Sequence, residues 1–374
     1  MSAGLPLTIP NSFARNARWF GGGEAVVDSG TRLTYADLDA LSLRAASLLA
    51  RLGAEPGKPL ALLCPPSAIY LVAWLGAVRL GALPMALHTR ESGATLAAIC
   101  RKMRPTLLVY DASMEELAAG AANGYGEFRA LIEARSAIPA KRSGAVHAAA
   151  SIPDDLPDVE TTPLLASPKE DDPAMIVLSS GTTSVAKGVV HTHRGLIENA
   201  RSNLYMYQGI LPGDRSLVPL STAFIGCYNG WFPFFNAGAC TIFMEHFDLA
   251  AVPRLVRDER ATHVFLTPTL WRRILNAEDA GDNVAIDPDA LDLPTGDLWM
   301  ARDTSGRVLA RSPLWSSAAA RQFGAIQAEH DFSVYGQTFR GLELHGVRQI
   351  DADDTSPGIP RPPIRRRTSA TWTS

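Results

Sequence analysis

The chain has few of the features that mark several common protein classes. Its four cysteines, Cys64, Cys100, Cys227 and Cys240, stand far apart and form no C-x-x-C pair. That spacing fits buried free thiols in a reduced, cytoplasmic protein. Neither sign of charge is in excess: 35 Lys+Arg against 38 Asp+Glu leave −3 over 374 residues. Nothing in that balance indicates a nucleic-acid or anionic-membrane surface. The first twenty residues lack the apolar core of a signal peptide. An uncharged run from Pro59 to Val78 approaches membrane-spanning length, but Pro65-Pro66 cuts it. We read it as a strand, Leu60–Cys64, a turn, and a core helix, Ser67–Leu80. His191 and His193 have no evident third partner, so no metal ligand is assigned.

What remains is an ordinary globular composition, with 47% hydrophobic and 20% charged residues, in a chain long enough for roughly two to three structural units. Two short strands flank Ser29-Gly30, and Thr34 with Asp37 forms a near-capping box. The helix that follows carries Leu38, Leu41, Ala45, Leu48 and Leu49 on one stripe and ends near Gly53. Strands at Leu60–Cys64, Leu83–Leu87 and Thr106–Tyr110 alternate with helices at Ser67–Leu80 and Ser92–Met103. This alternation predicts βαβ units and a largely parallel sheet. From Ala112 to Pro173 the pattern weakens into Ala-rich helical pieces and a proline-studded acidic linker. It then resumes with strands at Ser216–Leu220, Cys240–Met244 and His263–Leu266, and helices at Arg194–Tyr207, Ala250–Arg257 and Thr269–Leu275. Residues 296–317 show no clean period, and the Arg- and Pro-rich tail after Gly358 cannot build a core.

Met175–Leu178 reads as a short buried strand running into the hydroxyl-rich stretch Ser179–Ser184, followed by Lys187 and a second strand at Val189-Val190. Two readings fit. One is a phosphate cradle, in which Gly181 lets the backbone come close, Ser180, Thr182 and Thr183 donate, and Lys187 supplies positive charge. The other is a Ser/Thr-rich hairpin turn. A conventional P-loop is excluded, because Ala186 and Gly188 occupy the positions of its last Gly and its Ser/Thr.

Ser179-Ser-Gly-Thr-Thr-Ser-Val-Ala-Lys-Gly-Val189 resembles the phosphate-loop signature of the adenylate-forming (AMP-binding) superfamily, which includes acyl-CoA synthetases. Thr34-Tyr-Ala-Asp-Leu38, Pro56–Leu63, Gly76–Pro84, Thr262–Pro268 and Tyr335-Gly-Gln-Thr338 resemble further landmarks of that family, in order. The resemblance is colinear from about Ala25 to Leu275 and fragmentary afterwards. It implies an α/β fold, the large N-terminal domain of interleaved, mostly parallel sheets and helices, with the small C-terminal domain missing. On this reading residues 1–290 form the AMP-binding domain: a first α/β part at 1–150, a linker at 151–173 and the phosphate-loop part at 174–290. Residues 291–357 continue that domain in degraded form, and 358–374 are a disordered basic tail.

The family's chemistry implies ATP, Mg2+ and coenzyme A as co-substrate, acting on a small-molecule carboxylic acid. Mapped by position, Ser179, Ser180, Gly181, Thr182, Thr183, Ser184, Lys187 and Gly188 would cradle the phosphates. Tyr335, with Gly336 and Gln337, would hold adenine, and Thr338 would reach the α-phosphate, so that Lys187 and Thr338 are the catalytic candidates. Tyr228, Trp231 and Phe232 fall where family members build part of the acyl pocket; core packing is the alternative.

Several departures bear on activity. Ser184 and Ala186 stand where the family's loop has Gly and Pro, Thr222 stands near a frequent His, and Phe339 replaces the acidic residue expected after Thr338. The family pattern fails between Leu293 and Gly324 yet returns around Ser333–Thr338, which we read as reading-frame disruption after about Thr295. Translation of the gene's other two frames tests this: neither restoring a Glu after Thr338 would sink it. The alternative function is a catalytically inactive ATP- or acyl-binding remnant.

Overall fold

The computed structural model describes residues 6–136, 144–157, 167–179, 186–207, 209–267, 270, 297–303, 308–311 and 342–348. Two compact units divide the chain, Met1–Leu293 and Pro294–Ser374.

The first unit opens with helix α1 (Ile9–Phe20), which carries Pro10 in its first turn and buries Ile9, Ser12, Phe13 and Asn16 along one side. Strands β1 (Glu24–Val27) and β2 (Arg32–Thr34) form an antiparallel hairpin. Thr34 then caps α2 (Tyr35–Arg51) through a reciprocal box with Asp37, which satisfies two of the helix's first backbone donors. Strand β3 (Pro59–Leu63) leads into α3 (Ala68–Leu80), capped by Ser67 and ended by Gly81 at φ 82°. All thirteen residues of α3 are buried, Arg79 among them through its ion pair with Asp39, and the helix lies at the centre of a core. Among the described residues no helix is long and apolar enough to cross a membrane.

Next come β4 (Leu83–Ala86), α4 (Gly93–Met103), β5 (Leu107–Asp111), α5 (Glu115–Tyr125), β6 (Ala130–Ala134) and β7 (Ala150–Ile152). Strands β8 (Pro173–Ser179) and β9 (Lys187–Thr192) complete a seven-stranded sheet of order β7-β6-β5-β3-β4-β8-β9. All its neighbours are parallel except the β8–β9 hairpin. Helix α6 (His193–Met206), β10 (Arg215–Val218), α7 (Ile225–Ala237), β11 (Cys240–Phe243), α8 (Ala251–Asp258) and β12 (His263–Val264) follow. Strands β10, β11 and β12 join the first hairpin in a second sheet, β12-β10-β11-β1-β2.

Alternation along the strands sets the layers. Leu60 and Leu62 of β3 face a core shared with α1, α2, α3, α7 and strands β1, β10 and β11. Ala61 and Leu63 face the opposite way, against α4 and α5. Leu217 and Ile242 of the second sheet pack on α8. Helices α1, α2, α3 and α7, with Leu196, Ile197 and Ala200 of α6, thus share one core between the two sheets, while α4 and α5 cover the far face of the first sheet and α8 that of the second. The sequence reading missed α1 as well as β6 and β7, and Ser151 and Ile152 of its linker lie within β7.

The second unit contains an antiparallel sheet, β14-β13-β15, from β13 (Asp297–Asp303), β14 (Val308–Arg311) and β15 (Leu342–Arg348). Within the stretch 296–317, which shows no clean period, residues 297–303 and 308–311 are strands defined by cross-strand pairing. The expected helix at Thr269–Leu275 lies outside the described residues except for Leu270, as does the tail after Gly358.

Candidate functional site

In a parallel sheet the open edge lies beyond the carboxyl ends of the strands, where loops can converge on a ligand. Here the carboxyl edges of the two sheets meet. Thr222, just past β10, donates through Oγ1 to the carbonyl of Cys64 at the end of β3, at 3.1 Å. Asp28, just past β1, accepts through Oδ2 from the N–H of Ala68 at the start of α3, at 2.8 Å. Two sheets with separate strand orders are thus joined at one edge. Strand β8 runs parallel to β4, with Met85 opposite Ile176, so it too ends at that edge.

The hairpin of β8 and β9 places Ser179 opposite Lys187 and Leu178 opposite Gly188. The Ser179 hydroxyl donates to the Lys187 carbonyl at 3.4 Å, and Lys187 is exposed. Space beside Gly188 is tight. A Cβ there would stand 3.0 Å from both Cγ2 of Ile176 and Sδ of Met103. Ser180, Gly181, Thr182, Thr183 and Ser184 lie outside the described residues, and so do Tyr335, Gly336, Gln337 and Thr338. The structure therefore brings together Ser179, Lys187 and Gly188 from the sequence-derived set.

Tyr228, Trp231 and Phe232 are all buried on α7. Trp231 meets Trp74 of α3 edge-on at 5.4 Å, and the Tyr228 hydroxyl lies 2.7 Å from that of Tyr70. Phe235 stacks on Phe13 of α1. That face of α7 belongs to the central core. Another side is more open: Phe224 and Ile225 are exposed, Gly226 and Asn229 half-buried. The Asn229 side-chain oxygen has no hydrogen-bond partner among the described residues. Phe224 also meets His88, beyond β4, edge-on at 5.0 Å. The sequence reading passed over Ile225, Gly226 and Asn229. The available signal was a polar Asn within an aromatic run, one turn from Ile225.

His193 is buried, and its Nδ1 accepts from the N–H of Ile9 at 3.3 Å. Burial pulls its pKa down from 6.5 to about 4, against a smaller opposing effect of Asp172. A neutral imidazole accepting a backbone hydrogen bond is a structural anchor. Among the described residues no three His, Cys, Asp or Glu side chains converge as a metal site. The four cysteines are free and buried, and desolvation raises their thiol pKa values; such thiols are poor nucleophiles.

The fold is that of the large N-terminal domain of adenylate-forming enzymes. A putative long-chain-fatty-acid CoA ligase from Rhodopseudomonas palustris superposes with a TM-score of 0.65 at 18% identity, over 84% of this chain and 80% of that one. The N-terminal domain of FACL13 from Mycobacterium tuberculosis gives a TM-score of 0.56 at 26% identity, over 75% and 68%. Residues 13–338 match the AMP-binding enzyme family, and the chain belongs to it. Long-chain-fatty-acid–CoA ligase FadD13 of Mycobacterium tuberculosis is 30% identical over 242 residues, which are 63% of this chain and 45% of that protein. The chain thus matches a little under half the length of that curated relative.

Proposed function

We propose that this protein binds ATP at the β8–β9 hairpin and activates a carboxylic acid as its acyl-adenylate, with transfer to coenzyme A as the second step. The observation that carries this is the hairpin itself. It sets Ser179 opposite Lys187 at the edge where Thr222 and Cys64 join the two sheets. In the first half-reaction a carboxylate oxygen attacks the α-phosphorus, the bond to the bridging oxygen breaks, and pyrophosphate leaves. The exposed ammonium of Lys187 neutralises charge on the departing phosphates, an electrostatic contribution to an in-line displacement. In the second, the thiol of coenzyme A gives its proton to solvent, its sulfur attacks the acyl carbon, and the bond from that carbon to the phosphate oxygen breaks as AMP departs. Magnesium, when bound with ATP, would neutralise phosphate charge; no step is assigned to it through a protein ligand.

We place the acid against the open side of α7, at Ile225, Gly226 and Asn229, with Tyr228, Trp231 and Phe232 as the packed wall behind. The adenine and α-phosphate contacts of Tyr335, Gly336, Gln337 and Thr338 are part of the same proposal, as is the division into a domain at 1–290 and a continuation beyond it. The four buried free thiols support a cytoplasmic location. ATP–pyrophosphate exchange with a panel of aliphatic and aromatic acids tests the reading. Exchange stimulated by one class of acid is expected. ATP binding without exchange for any acid would favour an inactive nucleotide-binding remnant.

A further inference from the structure

Helix α4 ends against the start of β9. Its Lys102 donates through Nζ to the carbonyl of Ala186 at 3.0 Å. Its next residue, Met103, fills the space beside Gly188, with Sδ 3.0 Å from where a Cβ would stand. Ala186 and Met103 both pack against the apolar layer on that side of the sheet. Lys187 lies between these two anchors and is exposed. Successive residues of an extended chain point to opposite faces. Pinning positions 186 and 188 toward α4 therefore turns the Lys187 side chain away from it.

We infer that Lys102, 84 positions before Ala186 and outside every motif of the phosphate loop, is a positioning residue that presents Lys187 to the nucleotide. The inference rests on the function proposed above. It deepens that reading by naming a second lysine whose work is done through the backbone. Lys102 needs no contact with phosphate: its ammonium holds the carbonyl that immediately precedes Lys187.

Isothermal titration of the full chain with MgATP, and separately with pyrophosphate, tests this in wild type, Lys102→Met and Lys102→Arg. The Met variant should bind both about three- to tenfold more weakly, as expected for one charged hydrogen bond to a backbone carbonyl. Lys102→Arg, which keeps a charged donor, should recover most of the loss, and the thermal midpoints should agree. In a Lys187→Ala background Lys102→Met should have no further effect. Unchanged affinity in Lys102→Met, or an equal loss with and without Lys187, would overturn the inference while leaving the nucleotide site standing. Wild-type protein that binds neither probe would remove the functional reading, and this inference with it.

Discussion

The backbone N–H of Ile9 donates to Nδ1 of His193, 3.3 Å away and 184 positions later in the chain. Leu7 donates to Glu170 close by, and Arg194 pairs with Glu170 and Asp171. The amino-terminal helix is thus fastened beside the end of β9.

The first prediction concerns pH. Burial lowers the His193 pKa from 6.5 to about 4 in the fold, so the unfolded chain binds more protons between those values. Stability carried by the neutral ring is complete above about pH 6.5 and is lost as pH falls toward 4, by roughly 1–2.5 kcal/mol at pH 4.5. His193→Gln keeps an acceptor and cannot protonate. Urea midpoints should fall less for this variant than for wild type between pH 7.5 and 4.5. Parallel pH profiles would show that another group governs acid sensitivity.

Helix α7 should separate stability from selectivity. Trp231 is fully buried against Trp74, so Trp231→Ala should cost about 3–5 kcal/mol. Ile225→Ala and Asn229→Ala, on the open side, should each change stability by less than about 1 kcal/mol. They should instead alter which acid stimulates pyrophosphate exchange. Chemical denaturation and an acid panel on the same three variants would read both effects.

Space, not chemistry, should limit position 76. A Cβ on Gly76 of α3 would stand 2.8 Å from Cβ of Ala45 and 3.0 Å from the backbone nitrogen of Ala46 on α2. Gly76→Ala should therefore destabilise by about 1–3 kcal/mol, and adding Ala45→Gly should recover part of that. A double-mutant cycle on thermal midpoints would fail to show coupling if the helices simply moved apart without cost.

Lys187 should behave in the opposite way. It is exposed, so Lys187→Ala should leave the thermal midpoint unchanged within experimental scatter. Affinity for MgATP should fall about tenfold or more. Equal binding by variant and wild type would place the phosphates elsewhere.

Much of this organisation is visible in the chain. Ser67 and Gly81 bound a run of apolar residues, and α3 lies between them; the Thr34–Asp37 box does mark the start of α2. Helix α1 is harder to see because two of its four buried residues, Ser12 and Asn16, are polar. Asn16 is satisfied by the Phe235 carbonyl, far away in sequence. Strands β6 and β7 are short and rich in alanine, and their strand character comes from pairing with β5 and with each other. At the site, the motif makes Lys187 legible but not Lys102, which meets the Ala186 carbonyl only once the chain is folded. The aromatic run around Trp231 announces an apolar helix. Which side of that helix packs inward depends on Trp74 and Phe13, which no local pattern reveals.

The pairing of β1 with β11 also constrains assembly. Val26 lies beside Thr241 and Val27 beside Ile242, so β1 must wait for a strand synthesised roughly 200 residues later. By contrast, β3 to β7 find their neighbours within a single continuous stretch. Long-range closures cost more chain entropy and come late. As the chain emerges from the ribosome, one sheet can form while the other still lacks its centre. Pulse-labelled hydrogen exchange during refolding should accordingly protect Leu62 and Val109 before Val26. The β1–β2 hairpin is made early and is among the last parts to be locked in place.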